Sequence, residues 1–343
     1  HVKDKQPFRS LAEIKSYHNQ KFPYDISGYL KLHAVLEPDY YETMDSTSYK
    51  RFGLSSWDST RFGLASEERL QKYLESDMHV SKQYDSGRIY LLAQGRQSLE
   101  ESSGEIPQSL PEIGFVLNTQ SIKYFSYNLY FKGVNFWKET GQDGMRYDLY
   151  PNLFFSYGRL FNITQKVGIR ETAYFLDEPA EYDDRFIYDL DTTLTTKLIR
   201  KYSSFIHIIE PSLEYTYIPY VKQDEIPFFD STDFIPKTSK ITYALTNRAS
   251  GIGPNNLETR FRLSQSYSLL NTDDPFTPLL AEATISDDTL DLSVNASYDI
   301  DDSILTELIG SAKLKGKKAF IEVGKSLRLS TELDQYTLET GIY

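Results

Sequence analysis

The chain has 343 residues, a net charge of −12 and a negative mean hydropathy. Lacking any apolar run near the ~18 residues a spanning helix needs, it has no membrane-crossing helix, although a membrane barrel stays open because water-facing residues cancel lipid-facing ones in any average. The acidic balance, with no block of Lys or Arg to offset it, excludes nucleic acid as a partner, and the lack of cysteine excludes a disulfide framework or a thiolate metal site.

Taken in chain order, period-two runs between turn signals predict about seventeen strands, most of ten or more residues, where ordinary globular strands average ~5–6. They lie at 8–18, 26–36, 73–84, 88–98, 111–119, 123–137, 145–157, 163–176, 185–199, 204–218, 238–248, 255–269, 279–286, 289–299, 305–314, 318–326 and 335–343. In the seventh, Met145, Tyr147, Leu149, Leu153, Phe155 and Tyr157 oppose Arg146, Asp148, Asn152 and Ser156. The twelfth alternates almost without error, Leu257, Phe261, Leu263, Tyr267 and Leu269 on one face against Glu258, Arg260, Arg262, Ser264, Ser266 and Ser268 on the other. Such strands separate an oily from a wet environment across one layer of backbone. Tyr 27 and Phe 20 against Trp 2 and Gly 18 suit rings placed where the two zones meet.

Short and long links alternate from 85–87 to 219–237, the rhythm of an up-and-down meander with tight turns at one end and loops at the other, and it blurs after 248. Region 37–72 is too long and polar for a simple loop, and a short helix is expected at 66–72, with Ser66 as its N-cap. The loop 220–237 is rich in Phe, Ile and Pro, too apolar for a solvated tip. It is expected to fold inward, with Phe228, Phe229 and Phe234 packed. The chain opens at His1 without Met or an apolar signal segment, and we expect a piece of a longer precursor.

No catalytic, cofactor or metal site is predicted. His1, His18, His33, His79 and His207 are scattered without helical pairing, Gly251 and Gly253 lack the context of a dinucleotide loop, and Asp287, Asp288, Asp299, Asp301 and Asp302 read as hairpin ends, lacking the ligand spacing of a calcium loop. Asn162 and Asn295 fit a glycosylation pattern but are given no role. Arg260 and Arg262 beside Glu258 are candidate lumen-lining residues. They read as a ladder neutralised by carboxylates on neighbouring strands, the sharper alternative being guanidinium groups along a path for phosphate-bearing head groups.

One segment carries a resemblance. Glu210, Pro211, Tyr215, Tyr217 and Pro219 form a strand of the type E-P-x-x-x-Y-x-Y-x-P. A loop with Asp224, Pro227 and Asp230 follows, then a strand ending at Asn247 and Arg248. In this it resembles LptD, the lipopolysaccharide-assembly outer-membrane protein (organic solvent tolerance) family, with weaker echoes at 110–115 and 149–154. Proline has no N–H to donate, so Pro211 belongs at a bulge, an edge or a strand start, and Pro219 ends pairing before the long loop.

The expected fold is therefore all-β, a large antiparallel up-and-down transmembrane barrel present as an incomplete segment over 1–343, without the family's N-terminal periplasmic jelly roll and closing strands. The resemblance implies a non-enzymatic translocon barrel, in the outer membrane of a Gram-negative cell, that inserts lipopolysaccharide into the outer leaflet. Implied partners are lipopolysaccharide, membrane lipid, a plug lipoprotein like LptE in the lumen and periplasmic bridge proteins through the jelly roll. The polar faces at Glu258/Arg260/Arg262 and Asn128/Tyr130/Lys132 are walls for the plug. The family cysteines that cross-link domains are missing, which puts disulfide-controlled maturation in doubt. A general porin or plugged transporter barrel shares the compositional signals, and a soluble secreted β-protein predicts partition into buffer without detergent.

Overall fold

The computed structural model describes residues 12–37, 73–99, 105–177, 180–252, 256–331 and 333–342. Eighteen strands follow one another through them: β1 (Glu13–Phe22), β2 (Ile26–Val35), β3 (Tyr73–Tyr84), β4 (Gly87–Ser98), β5 (Gln108–Ile122), β6 (Phe125–Trp137), β7 (Gly144–Gly158), β8 (Phe161–Leu176) and β9 (Glu181–Thr196). Then come β10 (Leu198–Lys201), β11 (Ile206–Ile218), β12 (Thr238–Ile252), β13 (Leu257–Ser268), β14 (Leu279–Ser286), β15 (Leu290–Asp299), β16 (Ile304–Lys315), β17 (Ala319–Arg328) and β18 (Leu333–Ile342). The expected helix at 66–72 lies outside the described residues.

Every pairing is antiparallel, and each strand pairs with its sequence neighbour, so the chain is one meandering sheet. The one departure explains why seventeen predicted strands become eighteen. The predicted strand 185–199 breaks at Lys197 into β9 and β10, which pair with successive parts of β11: β10 with Ile206–Ile209 and β9 with Ser212–Tyr217. Glu210 and Pro211 fall in the gap, so the residue without an N–H sits where the ladder is already interrupted. The sheet does not close on itself among the described residues, and it fits an incomplete barrel.

The links are turns of two to four residues after β1, β3, β5, β7, β10, β12 and β14, whereas the opposite end carries 99–107, 138–143, 219–237 and 269–278. The alternation thus persists past 248, although the link 177–180 is as short as the turns, and it flattens after β14, where the remaining links are three or four residues. Tyr24 and Asp25 both take positive φ in the first turn, the backbone that matches hairpin twist.

Register fixes two faces. Met145, Tyr147, Leu149 and Phe155 lie on one face of β7 with Phe175, Phe186, Leu213, Leu245 and Phe261 from neighbouring strands, and each is between 41% and 53% exposed with no second layer over it. No second sheet covers this apolar face among the described residues. Exposed rings gather at its two rims, Tyr24, Tyr124 and Tyr157 by the short turns and Trp137 and Tyr182 at the other end, as in strands that pass through a lipid layer between aromatic girdles.

Candidate functional site

On the opposite face the side chains are long and charged from β6 to β9. Asp148 on β7 receives Arg170 Nε at 2.7 Å and Arg170 Nη2 at 2.8 Å, together with the Thr172 hydroxyl at 2.9 Å. Lys166 donates to Asp189 at 2.8 Å and Asp191 at 3.1 Å, and the Tyr150 hydroxyl donates to Asp189 at 2.7 Å. Gly168 makes this last junction possible: a Cβ there would stand 2.2 Å from Asp189 Oδ1. These bonds run across neighbouring strands and order the wall without needing another partner.

Nearer the long-loop end the wall does need one, and the link 219–237 supplies it. Arg146 on β7 is wholly buried: its Nη1 and Nη2 donate end-on to the two oxygens of Asp230 at 2.8 and 2.7 Å, and Nη1 also reaches Asp233 Oδ1 at 2.6 Å. The Tyr174 hydroxyl donates to the same Asp233 oxygen at 2.9 Å. The other oxygen accepts from the backbone N–H of Phe229 and of Asp230, each at 2.7 Å. Asp233 is therefore saturated from both sides, as a carboxylate that is 3% exposed must be.

Arg185 on β9 holds the loop's backbone. Its Nη1 donates to Asp233 O at 2.6 Å and Gln223 Oε1 at 2.9 Å, and its Nη2 to Thr232 O at 2.7 Å. Gln223 closes the loop on itself, accepting from Ile235 N at 3.0 Å and donating to Ile235 O at 2.9 Å. Between the polar anchors the Phe229 ring stacks on Phe136, centroids 4.4 Å apart and planes 7° apart, within a cluster of Val134, Phe136, Tyr174, Leu176 and Phe229. These apolar residues stand on the otherwise polar face only beneath the loop. Burial alone would push the Asp230 carboxyl up, but hydrogen bonds and charge from Arg146 outweigh it and bring it well below the ordinary carboxylate range.

The inward fold of 220–237 is thus borne out, with a correction. Phe229 is packed, but Phe228 and Phe234 are 65% and 60% exposed. Asp233, by holding the N–H groups of Phe229 and Asp230, sets a tight turn that can aim only one ring at the wall.

The motif residues divide between this clasp and the β11–β12 hairpin. Asp230 is an anchor, while Asp224 is exposed and Pro227 half-buried. Glu210 pairs with Lys197 at 3.0 Å, across the interrupted ladder, and with Arg248 at 2.9 Å, and Asn247 Oδ1 meets the His207 ring at 3.1 Å on the other face. Tyr215 and Tyr217 lie on the apolar face with Leu213, and Pro219 follows the last residue of β11. Arg260 and Arg262 pair with Glu282 on the neighbouring strand β14, at 3.2 and 3.9 Å, which favours the ladder reading. Asn128, Tyr130 and Lys132 do share the polar face, and Lys132 stands 3.8 Å from Asp230. Arg185, Tyr174, Phe136, Gln223 and Asp233 were not legible as a site. The available signal was Arg146 and Arg185 on wet faces of strands facing a loop with three aspartates.

A family model described as LPS transport system D matches residues 9–324. The chain belongs to the LptD family. It is similar to LPS-assembly protein LptD of Aromatoleum aromaticum, 26% identical over 76% of this chain and 34% of that protein, and to LPS-assembly protein LptD of Nitrosospira multiformis, 27% identical over 61% of this chain and 26% of that protein. A third relative, LPS-assembly protein LptD of Thiobacillus denitrificans, is 29% identical over 46% of this chain and 23% of its own length. The chain spans about a third or less of the length of these curated LptD relatives.

Proposed function

We propose that this LptD-family chain forms barrel wall and lumen lining in a Gram-negative outer-membrane translocon that assembles lipopolysaccharide into the outer leaflet. The observation that carries the reading is the uncovered apolar face of a single-layer, eighteen-stranded meander whose opposite face is an ionic wall. An apolar face of that extent on a soluble monomer would be an aggregation surface, whereas lipid tails solvate it. The polar side then lines the lumen, and the long links, 219–237 among them, face the cell exterior. In this reading 1–343 is a piece of the barrel domain, and alone it neither closes nor transports. Its lumen takes a plug lipoprotein, and a periplasmic bridge feeds it through domains elsewhere in the parent.

The test is depletion of the full-length protein in its host. Loss of newly made lipopolysaccharide from the cell surface, with the protein extracted from outer membranes only by detergent, is the expected result. Small-solute conductance through the purified barrel with unchanged surface lipopolysaccharide would assign it to porins instead, and extraction without detergent would overturn the membrane assignment. Lipopolysaccharide flux through 1–343 alone would refute its role as a mere segment.

A further inference from the structure

The two arginines beneath the loop are a site already occupied. Arg146 and Arg185 are 0% and 1% exposed, stand on the lumenal face of adjacent parts of the wall, and converge on the loop's Asp233. The next basic groups along the wall have carboxylates on the wall itself, Arg170 with Asp148 and Lys166 with Asp189 and Asp191, whereas Lys132, like Arg146, faces the loop's Asp230, at 3.8 Å. For Arg146 the ion-pair partners among the described residues come from the loop alone, Asp230 and Asp233, and Arg185 hydrogen-bonds loop carbonyls and Gln223 where a carboxylate would be expected. Lifting the loop would therefore bare two uncompensated guanidinium groups, with Lys132 beside them.

Their donors are also incompletely used. The Nε atoms of both Arg146 and Arg185 are buried and have no hydrogen-bond partner among the described residues. The Asp230 carboxylate takes the Nη pair of Arg146 end-on, and the Nε edge beside it is left without an acceptor. Next to this point lies a cavity of about 970 Å³ bordered by Asp230, Glu105, Ser231, Lys138, Arg96 and Tyr73, a mix of cations, carboxylates, hydroxyls and a ring face. A sugar bearing a phosphate fits that chemistry, with rings and hydroxyls along the cavity and the anion against the arginines. The loop is also built to leave as a unit. Asp233 and Gln223 hold its turn internally, so undocking breaks the contacts to Arg146, Arg185 and Tyr174 without unravelling it.

We propose that Asp230 and Asp233 are intramolecular stand-ins for phosphate, and that Arg146, Arg185 and Lys132 form a lumenal site that exchanges the 219–237 loop for a phosphorylated saccharide. The proposal rests on the translocon reading for its ligand class and deepens it: arrival of the anionic head group would open the loop above it, so the outward path is unlatched by its cargo. A loop held only for stability would leave nothing to compete with.

The test is paired spin labels on the full-length protein in detergent, at Ser231→Cys on the loop and Thr140→Cys on the neighbouring link; residues 1–343 hold no cysteine, and any cysteine elsewhere in the parent is first replaced by Ser. The probes are a bisphosphorylated glucosamine disaccharide, its dephosphorylated counterpart and inorganic phosphate. The bisphosphorylated sugar is expected to shift the label distance to a longer, loop-open population, and the dephosphorylated sugar to leave it unchanged. Inorganic phosphate should need at least tenfold higher concentration. Asp230→Asn, outside the strands and so without effect on barrel folding, removes a competitor and should tighten disaccharide binding about tenfold. Arg146→Gln should open the loop without ligand and abolish binding.

Unchanged affinity in Asp230→Asn would overturn the exchange. Equal potency of inorganic phosphate would overturn the saccharide assignment, and equal action of the dephosphorylated sugar would overturn the role of phosphate. Photo-crosslinking of whole lipopolysaccharide to the same protein separates the two levels. Crosslinks that persist in Arg146→Gln, with unaltered yield along the loop, refute this site and leave the translocon reading standing, while no crosslink anywhere in the lumen refutes the translocon reading itself.

Discussion

The wall from β6 to β9 and the wall from β12 to β18 share one fold, one alternation and one polar side, yet they solve the polar side differently. In the first, strands of 13 to 16 residues carry long ionic side chains that interlock across the sheet and are then covered by a loop arriving from β11. In the second, short groups satisfy each other locally, as in Thr242 with Ser266 at 2.7 Å and Ser293 with Ser311 at 3.0 Å, and the ion pairs stay part-exposed. The first region is committed to one partner within the chain. The second leaves a low, hydrated surface that can take a partner from elsewhere, which suits the lumenal plug proposed above. What differs is the cost of removing the partner: a buried guanidinium stranded from its carboxylates loses several kcal/mol, a solvated pair almost nothing.

That contrast can be broken most directly at Arg146. Arg146→Ala strips the buried Asp233 of its main counter-charge and should weaken the clasp by about 3–5 kcal/mol. Since ~1.4 kcal/mol is tenfold in a population, proteolytic cleavage within 219–237 of the membrane-embedded protein should accelerate by at least ~100-fold. Cleavage at the parental rate would show that the loop is held otherwise.

Phe229→Ala tests the apolar half of the clasp. Removing a ring that is 4% exposed and stacked on Phe136 should cost about 3 kcal/mol. Phe228→Ala, on a ring that is 65% exposed, should change the same cleavage rate little.

Acid sharpens the comparison further. The folded Asp230 carboxyl titrates below its unfolded value, so its contribution is fully present above the ordinary carboxylate range and is lost as pH falls through the depressed folded value. Loop protection should therefore survive at pH ~5 and fail only well below pH ~4. Asp230→Asn should flatten that acid limb, and opening of the parental loop at mildly acidic pH would contradict it.

The smallest effect belongs to the other wall. Glu282→Gln removes the partner of Arg260 and Arg262, all about one-third exposed, and should cost under ~1 kcal/mol, read as an almost unchanged thermal transition of the barrel. A loss comparable to that at Arg146 would mean that the two walls are held alike.

Much of this architecture was legible residue by residue. The strands 73–84 and 279–286 coincide with β3 and β14, and most others agree within a few residues, because a thin sheet between oil and water imposes a strict period of two. Pro211 was placed correctly at an irregularity because a missing N–H is a local property. The break at Lys197 was missed, since nothing in 185–199 interrupts the alternation enough to show it. The exposed states of Phe228 and Phe234 were missed because composition says that a loop is apolar, not which ring its turn will aim inward.

Alternation, link lengths and the Glu-Pro strand by themselves determined the strands, their two faces and the long apolar loop, since each is set by neighbours a few residues away. Only the tertiary structure decided that Arg146 meets Asp230 across 84 positions and that Arg185 meets the backbone of Thr232. Such pairs depend on where the register of up to five successive strands, β7 to β11, carries a side chain, and on the turn in which a distant loop folds before it docks. No local pattern encodes that sum.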